Sequence, residues 1–116
     1  MDTTLNSNSS SNNDHHIFVK RYSHLQKINS DDILWIEALG DYVVINTSTK
    51  KFTVHTTMKS IEQKLPSDKF KRVHRSYIVP VGKINAIEGQ TLEVGKKLIP
   101  VSRSYKKMLL SFLNLL

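Results

Sequence analysis

The chain lacks cysteine, is poor in acidic residues and has no long hydrophobic run, and each absence removes a class of proteins. Without cysteine there are no disulfide bonds, zinc–thiolate sites or catalytic thiols, a pattern that fits a cytoplasmic location. The longest apolar stretch, MLLSFLNLL at residues 108–116, is too short and too interrupted to span a bilayer. The first residues are polar, so no signal peptide is predicted.

The shortage of acidic residues leaves a strong positive charge. Seventeen Lys and Arg oppose ten Asp and Glu, which gives a net charge of +7. Asp2 and Asp14 are the only acidic residues among the first sixteen, which hold no Lys or Arg, so residues 17–116 carry +9. This excess predicts a polyanionic partner, with nucleic acid first and an anionic membrane second; a basic surface without a partner is the alternative.

Composition divides the chain into a tail and one domain. Residues 1–14 contain four Ser, four Asn and two Thr. Such a polar segment cannot bury a core, so we predict that residues 1–16 form a disordered linker or tail. Residues 17–116 are then expected to fold as a single domain.

Short runs rich in β-branched and aromatic residues indicate a mainly β fold. Turn residues separate these runs so closely that antiparallel hairpins are favoured over parallel crossovers. The predicted strands cover residues 17–22, 24–28, 33–39, 42–47, 51–55, 76–80, 83–88, 91–94 and 97–101. Thr57 is placed to cap one short helix at residues 58–65, which Pro66 ends.

A second helix is predicted at the C-terminus from apolar residues with helical spacing. The stripe consists of Tyr105, Met108, Leu109, Phe112, Leu113 and Leu116. A stripe of this kind usually packs into the core. Contact with a partner or with a second copy of the chain is the alternative.

Two basic segments are candidates for contacts with the phosphate backbone of a nucleic acid. The first precedes the strand that begins near Tyr77, and the second lies at the start of the C-terminal helix. Backbone N–H groups at a helix start bind anions. Cations at this end are disfavoured by the helix dipole, and a bound anion offsets that penalty. The alternative for Lys106 and Lys107 is that they lie on a solvent-exposed face of the helix and bind no anion. The candidates are Lys69, Lys71, Arg72, His74, Ser102, Lys106 and Lys107.

The arginines are the stronger candidates for reading bases. Only four Arg accompany thirteen Lys, and two of them, Arg75 and Arg103, begin identical Arg-Ser-Tyr tripeptides. A guanidinium can grip guanine O6 and N7 together, which the ammonium of lysine cannot do as a planar fork. Asp41, in the turn after Gly40, could accept a hydrogen bond from cytosine N4.

Catalytic patterns are poor. His24, His55 and His74 are scattered over predicted strands, without a carboxylate pair, a glycine-rich phosphate loop or a nucleophile motif. We therefore expect no enzymatic activity, cofactor, metal site or small-molecule substrate.

Three segments together resemble the LytTR family of DNA-binding domains. They are DDILWIEALGDYVVI, then TMKSIEQKLPSDKFKRVHRSYIVPVGKINAIEG, then IPVSRSYK, and the resemblance runs from about Phe18 to Lys107. It implies an elongated stack of small antiparallel sheets, with loops along one edge that enter successive major grooves. It also implies base contacts from Asp41 or Tyr42, from Arg75 and from Arg103.

The resemblance further implies an output domain that follows a receiver domain in a bacterial two-component response regulator. We then expect sequence-specific binding to duplex DNA for transcription regulation, at repeated sites and with two protomers per operator. No membrane partner is expected. A protein-interaction module using the C-terminal helix is one alternative. Another is an RNA or single-strand binder, which needs a row of exposed aromatic rings, whereas the sequence places Trp35, Phe52, Phe70 and Phe112 in core-like positions.

Overall fold

Residues 15–116 are described by a computed structural model, and within them ten strands form three antiparallel sheets. The strands are β1 (His16–Arg21), β2 (His24–Asn29), β3 (Ile33–Leu39), β4 (Tyr42–Thr47), β5 (Lys51–Val54), β6 (Phe70–His74), β7 (Tyr77–Pro80), β8 (Ile84–Glu88), β9 (Thr91–Val94) and β10 (Lys97–Pro100). The helices are α1 (Met58–Lys64) and α2 (Arg103–Phe112), with short 3-10 turns at Ser30–Asp32 and Val81–Lys83. The predicted mainly β fold, with one internal and one C-terminal helix, is confirmed.

The central sheet has five strands in the order β5-β4-β3-β7-β6 and buries both faces. Successive side chains on a strand point to opposite faces, so neighbours on β7 enter different cores. Ile78 packs with Ile36 and Ile45 in the first core, whereas Val79 packs with Val73 in the second. Both cores are therefore built on the same rigid sheet.

The two smaller sheets cover the two faces of the central one. The β1–β2 hairpin and α1 contribute Val19, Ile28 and Ile61 to the first core. The β10-β9-β8 sheet and α2 contribute Ile99 and Leu109 to the second. The layers form a stack that measures 50 × 38 × 24 Å, in agreement with the elongated arrangement that the family resemblance implies.

Helix α1 begins where the sequence predicts. The Thr57 hydroxyl accepts a hydrogen bond from the Ser60 N–H at 3.0 Å, which satisfies one of the free donors of the first turn. The helix ends at Lys64, two residues before Pro66.

The basic segment Lys71–Arg75 does precede the strand that begins at Tyr77, but the sequence did not predict that most of this segment forms a strand of its own. Residues Phe70–His74 are themselves strand β6, which pairs with β7 at the edge of the central sheet. Val73 is fully buried, but cations surround it in the sequence, so the segment lacks the apolar run by which the other strands were recognised. Only Arg75 and Ser76 form the turn between the two strands.

The predicted core stripe of the C-terminal helix is wrong in its second half. Helix α2 ends at Phe112, so Leu113 and Leu116 are not helical. Leu109 is buried, but Met108 and Phe112 are 64% and 41% exposed. The helix therefore contacts the core along a narrower line than its apolar spacing indicates.

The predicted tail lies almost entirely outside the described residues, which begin at His15. Strand β1 starts at His16, one residue before the predicted start of the domain. The carbonyl of His15 accepts hydrogen bonds from both the N–H and the hydroxyl of Ser30, each at 3.0 Å. Ser30 is buried, so His15 takes part in the fold.

Deletion of residues 1–13 is expected to leave the melting temperature nearly unchanged, because a polar segment of this composition contributes no core. Deletion of residues 1–15 removes the acceptor of two buried Ser30 donors, which costs about 1–3 kcal/mol when unsatisfied. Thermal unfolding of both truncated chains against the parent measures the difference. Equal melting temperatures for the two truncations would contradict a structural role for His15.

Candidate nucleic-acid interface

Two turns of the central sheet lie side by side at one of its ends. The β3–β4 turn contains Gly40 and Asp41, and the β6–β7 turn contains Arg75 and Ser76. Strand β3 pairs with β7 through Ile36–Ile78 and Glu37–Tyr77, which brings the end of β3 beside the start of β7. The Ala38 N–H donates to the Ser76 carbonyl at 2.9 Å and joins the end of β3 to the β6–β7 turn. We call this end of the sheet the turn edge.

Tyr42 and His55 extend the turn edge across the next two strands. Gly40 has a φ of +59°, a left-handed conformation that glycine adopts without steric cost and that allows the tight reversal before Tyr42. His55 follows β5, and its ring lies 5.1 Å from the ring of Tyr42. Sequence reasoning considered His55 only as a catalytic group. Its place beside Tyr42 depends on the β4–β5 register, which no local pattern reveals.

Arg75 is exposed in a turn whose backbone is held from several sides. The Ser76 N–H donates to His74 Nδ1 at 3.1 Å, and the His74 ring packs edge-on against Tyr77. The carbonyls of His74 and Arg75 both accept hydrogen bonds from the guanidinium of Arg72. Arg75 therefore has a backbone held by hydrogen bonds and a side chain without a partner in the part of the chain that the structure describes.

The cations on β6 differ from Arg75 because most of them have partners within the protein. Arg72 forms an ion pair with Glu62 of α1 at 3.1 Å. The Lys71 ammonium lies 3.9 Å from the centre of the Phe112 ring, a cation–π contact with α2. Lys69 is half-buried just before the strand. Arg72 and Lys71 thus connect β6 to the two helices.

The start of α2 is attached to β6 beside the turn edge. The Ser102 N–H donates to the Val73 carbonyl at 2.9 Å, so Arg103 begins the helix next to the end of that strand. The Ser102 hydroxyl does not cap the helix and lies 3.3 Å from the Ser104 hydroxyl. Arg103 is exposed at the N-terminal end of the helix, where the first backbone N–H groups have no helical acceptor.

The two lysines of α2 are in different situations. The Lys106 ammonium donates to the carbonyl of Gly89 in the β8–β9 turn, which fastens the helix to the three-stranded sheet. Lys107 is exposed. Within residues 15–116, no hydrogen bond or ion pair engages the charged groups of Arg75, Arg103 or Lys107.

The structure thus divides the sequence-predicted candidates into two groups. Asp41, Tyr42 and Arg75 lie together on the turn edge, and Arg103 follows beyond β6. In contrast, Arg72, Lys71 and Lys106 are occupied by intramolecular contacts. Within residues 15–116, no salt bridge joins Arg75 to the neighbouring Asp41.

These features define the class of protein: a positively charged domain of stacked β sheets, in which Arg75 and Arg103 have no partner within residues 15–116 and lie beside one sheet edge. The chain matches the LytTr DNA-binding domain family over residues 23–114. It belongs to that family, as the sequence motifs indicate.

Characterised relatives and a solved structure agree with this assignment. The sensory transduction protein LytT of Bacillus cereus is 32% identical over 95 residues, which cover 76% of this chain and 38% of that protein. The LytT of Bacillus subtilis is 34% identical over 95 residues, again 76% of this chain, and 39% of its length is covered. The chain thus spans less than half the length of these relatives.

The structural neighbour is described as the LytTr DNA-binding domain of a response regulator from Bacillus cereus. It superposes with a TM-score of 0.72 and 26% sequence identity, over 84% of this chain and 95% of that one. Between residues 15 and 116, no helix is long and apolar enough to cross a membrane.

Proposed function

We propose that this domain binds double-stranded DNA at specific sequences and thereby regulates transcription. The observation that carries the proposal is the state of Arg75 and Arg103. Both side chains are exposed and extend from backbone that is hydrogen-bonded to neighbouring strands. Neither guanidinium group has a partner within the described part of the chain. A preorganised and unpaired fork is what bidentate recognition of guanine requires.

The proposed base contacts come from the turn edge and from the start of α2. Arg75 and Arg103 each bind guanine O6 and N7. Asp41 accepts from cytosine N4, and Tyr42 contacts a base from the same turn.

The proposed backbone contacts are led by Lys107 and by the N–H groups that follow Ser102. His74 adjoins the turn edge and is a secondary candidate. Lys69 precedes β6 at the opposite end of the sheet, so it is a weaker candidate. Lys71, Arg72 and Lys106 are weaker candidates than the sequence indicates, because each would give up an intramolecular contact to meet a phosphate.

Several features of the organisation belong to the proposal. The solved neighbour is described as part of a response regulator, which supports an output domain that works with a receiver domain in the cytoplasm. The segment before His15 would act as the linker. Two protomers would bind repeated sites on one operator. The function is binding alone, without a catalytic step, cofactor or metal.

Replacing Lys107 by Ala is expected to weaken binding to all duplex sequences alike. Loss of one phosphate contact lowers the slope of log K against log salt concentration by about 0.9. Lys106→Ala is the matched comparison on the same helix turn, and we expect it to lower the melting temperature more and the salt slope less. Titrations of a random duplex at several salt concentrations measure the slopes. An unchanged slope for Lys107→Ala would place this residue away from DNA.

Selection of duplexes from a random DNA pool tests the proposed function directly. Recovery of a consensus with guanines at fixed spacing is the expected result. Single-stranded DNA and RNA pools are run in parallel because several aromatic rings are exposed, although Phe52 and Phe70 are buried as the sequence predicts. Phe18, Tyr22 and Tyr42 are 57%, 92% and 47% exposed, and Phe112 is not a core residue. A preference for single strands or RNA would overturn the proposal.

A further inference from the structure

Arg72 directs all three of its guanidinium nitrogens into the protein. Its Nε donates to the His74 carbonyl at 3.1 Å, Nη1 donates to Glu62 Oε1 at 3.1 Å, and Nη2 donates to the Arg75 carbonyl. Only 18% of its side chain is exposed. A group with this many internal bonds has little capacity left to bind a phosphate.

The two carbonyls that Arg72 binds are those of the turn that carries Arg75. One bond reaches the residue before Arg75 and the other reaches Arg75 itself, so the guanidinium spans the bend of the chain. Glu62 holds the same guanidinium from α1, ten residues away along the chain. Through Glu62 and Arg72, helix α1 therefore restrains the backbone of the turn, although the helix itself lies outside the turn edge.

Arg72 also lies close to the second arginine-bearing segment. Its Cζ atom is 6.0 Å from the centre of the Tyr105 ring, two residues after Arg103 on α2. This is the outer limit of a cation–π contact. Arg72 is therefore placed between the turn of Arg75 and the first turn of the helix that Arg103 begins.

We propose that Arg72 is a positioning residue for sequence discrimination: it fixes the backbone of the turn so that the Arg75 fork meets its base in one orientation. This inference rests on the proposed DNA binding and specifies a residue that acts through another. Lysine cannot replace it, because an ammonium is a single point donor and cannot span the two carbonyls and Glu62 as a planar fork does.

A double-mutant cycle on Arg72 and Arg75 tests the inference. The four proteins are the parent, Arg72→Lys, Arg75→Lys and the double variant, all with the same net charge. Affinity is measured for the selected duplex and for random duplex DNA. Arg72→Lys is expected to lower the affinity for the selected duplex roughly fivefold or more, the lower end of what a guanine fork contributes. Its affinity for random DNA should stay near the parental value.

The cycle separates positioning from other roles of Arg72. If Arg72 acts through Arg75, the Arg72→Lys change has almost no further effect once Arg75 is lysine. Additive losses would overturn the inference, as would equal weakening on selected and random DNA. Glu62→Gln provides a second, milder variant that keeps Arg72 and removes only the charge of its partner. For Glu62→Gln we expect a smaller loss of affinity for the selected duplex. Full parental selectivity in both Arg72→Lys and Glu62→Gln would also overturn the inference.

Arg21→Lys is the matched control. Arg21 is likewise packed within the protein, over the ring of Phe52 at 5.1 Å, but it belongs to the β1–β2 hairpin. This variant should keep parental selectivity. If the parent selects no duplex, or if Arg75→Lys has no effect on selectivity, the proposed function has failed. If Arg75→Lys reduces selectivity and Arg72→Lys does not, only the positioning role has failed.

Discussion

Exchanging Arg103 for Lys is expected to lower the affinity for the selected duplex by about 1–3 kcal/mol, with affinity for random duplex DNA nearly unchanged. The exchange keeps the charge and removes the planar pair of donors that matches guanine. The hydrogen bond from the Ser102 N–H to the Val73 carbonyl anchors the backbone just before Arg103, so we expect the backbone to stay in place when the side chain changes. Arg75→Lys should behave in the same way for the base that the turn edge contacts.

The measurement compares binding constants for the selected and the random duplex over a range of salt concentrations. Specificity should fall while the salt slope stays parental, because the number of cations is constant. Equal weakening on both duplexes would instead indicate a phosphate contact or damage to the fold, and thermal unfolding distinguishes these two. Parental affinity and selectivity in both lysine variants would contradict base reading by these arginines.

Replacing Ile78 by Ala is expected to destabilise the domain by about 2–5 kcal/mol, since it removes a large side chain from a closely packed core. Ile78 is completely buried on β7, two residues after the turn edge, and pairs with Ile36 across the sheet. Chemical or thermal unfolding of the variant measures the loss. A domain of ordinary stability would retain little margin after a change of this size.

Leu98→Ala is the control for this prediction. Leu98 is 63% exposed on β10, so the same kind of truncation should change the free energy of unfolding by less than about 0.5 kcal/mol. A similar loss in both variants would show that the central sheet does not carry the stability of the domain. Comparable stability of Ile78→Ala and the parent would lead to the same conclusion.

The strand and helix pattern was largely accessible from the sequence. The predicted strands at residues 33–39, 42–47 and 91–94 coincide with β3, β4 and β9, and Thr57 caps α1 as expected. These elements depend on local physical chemistry: β-branched runs, turn residues and a capping hydroxyl all act within a few residues. The family resemblance supplied the stacking of the sheets, which local patterns do not contain.

The same local reasoning failed where packing outweighs composition. Strand β6 was hidden because only Phe70 and Val73 point into the cores, and cations occupy the positions between them. The end of α2 was overestimated because helical spacing shows which residues share a face and cannot show whether another element covers that face.

The availability of each cation was decided by tertiary structure alone. In sequence, Arg72 and Arg75 are equivalent members of one basic run. In the fold, Arg72 meets Glu62 and two turn carbonyls, whereas Arg75 meets no partner within residues 15–116. The amino-acid sequence determined that this is a basic β domain with few arginines. Whether an arginine is free or occupied depends on groups that only the packing of α1, β6 and β7 brings within hydrogen-bond distance.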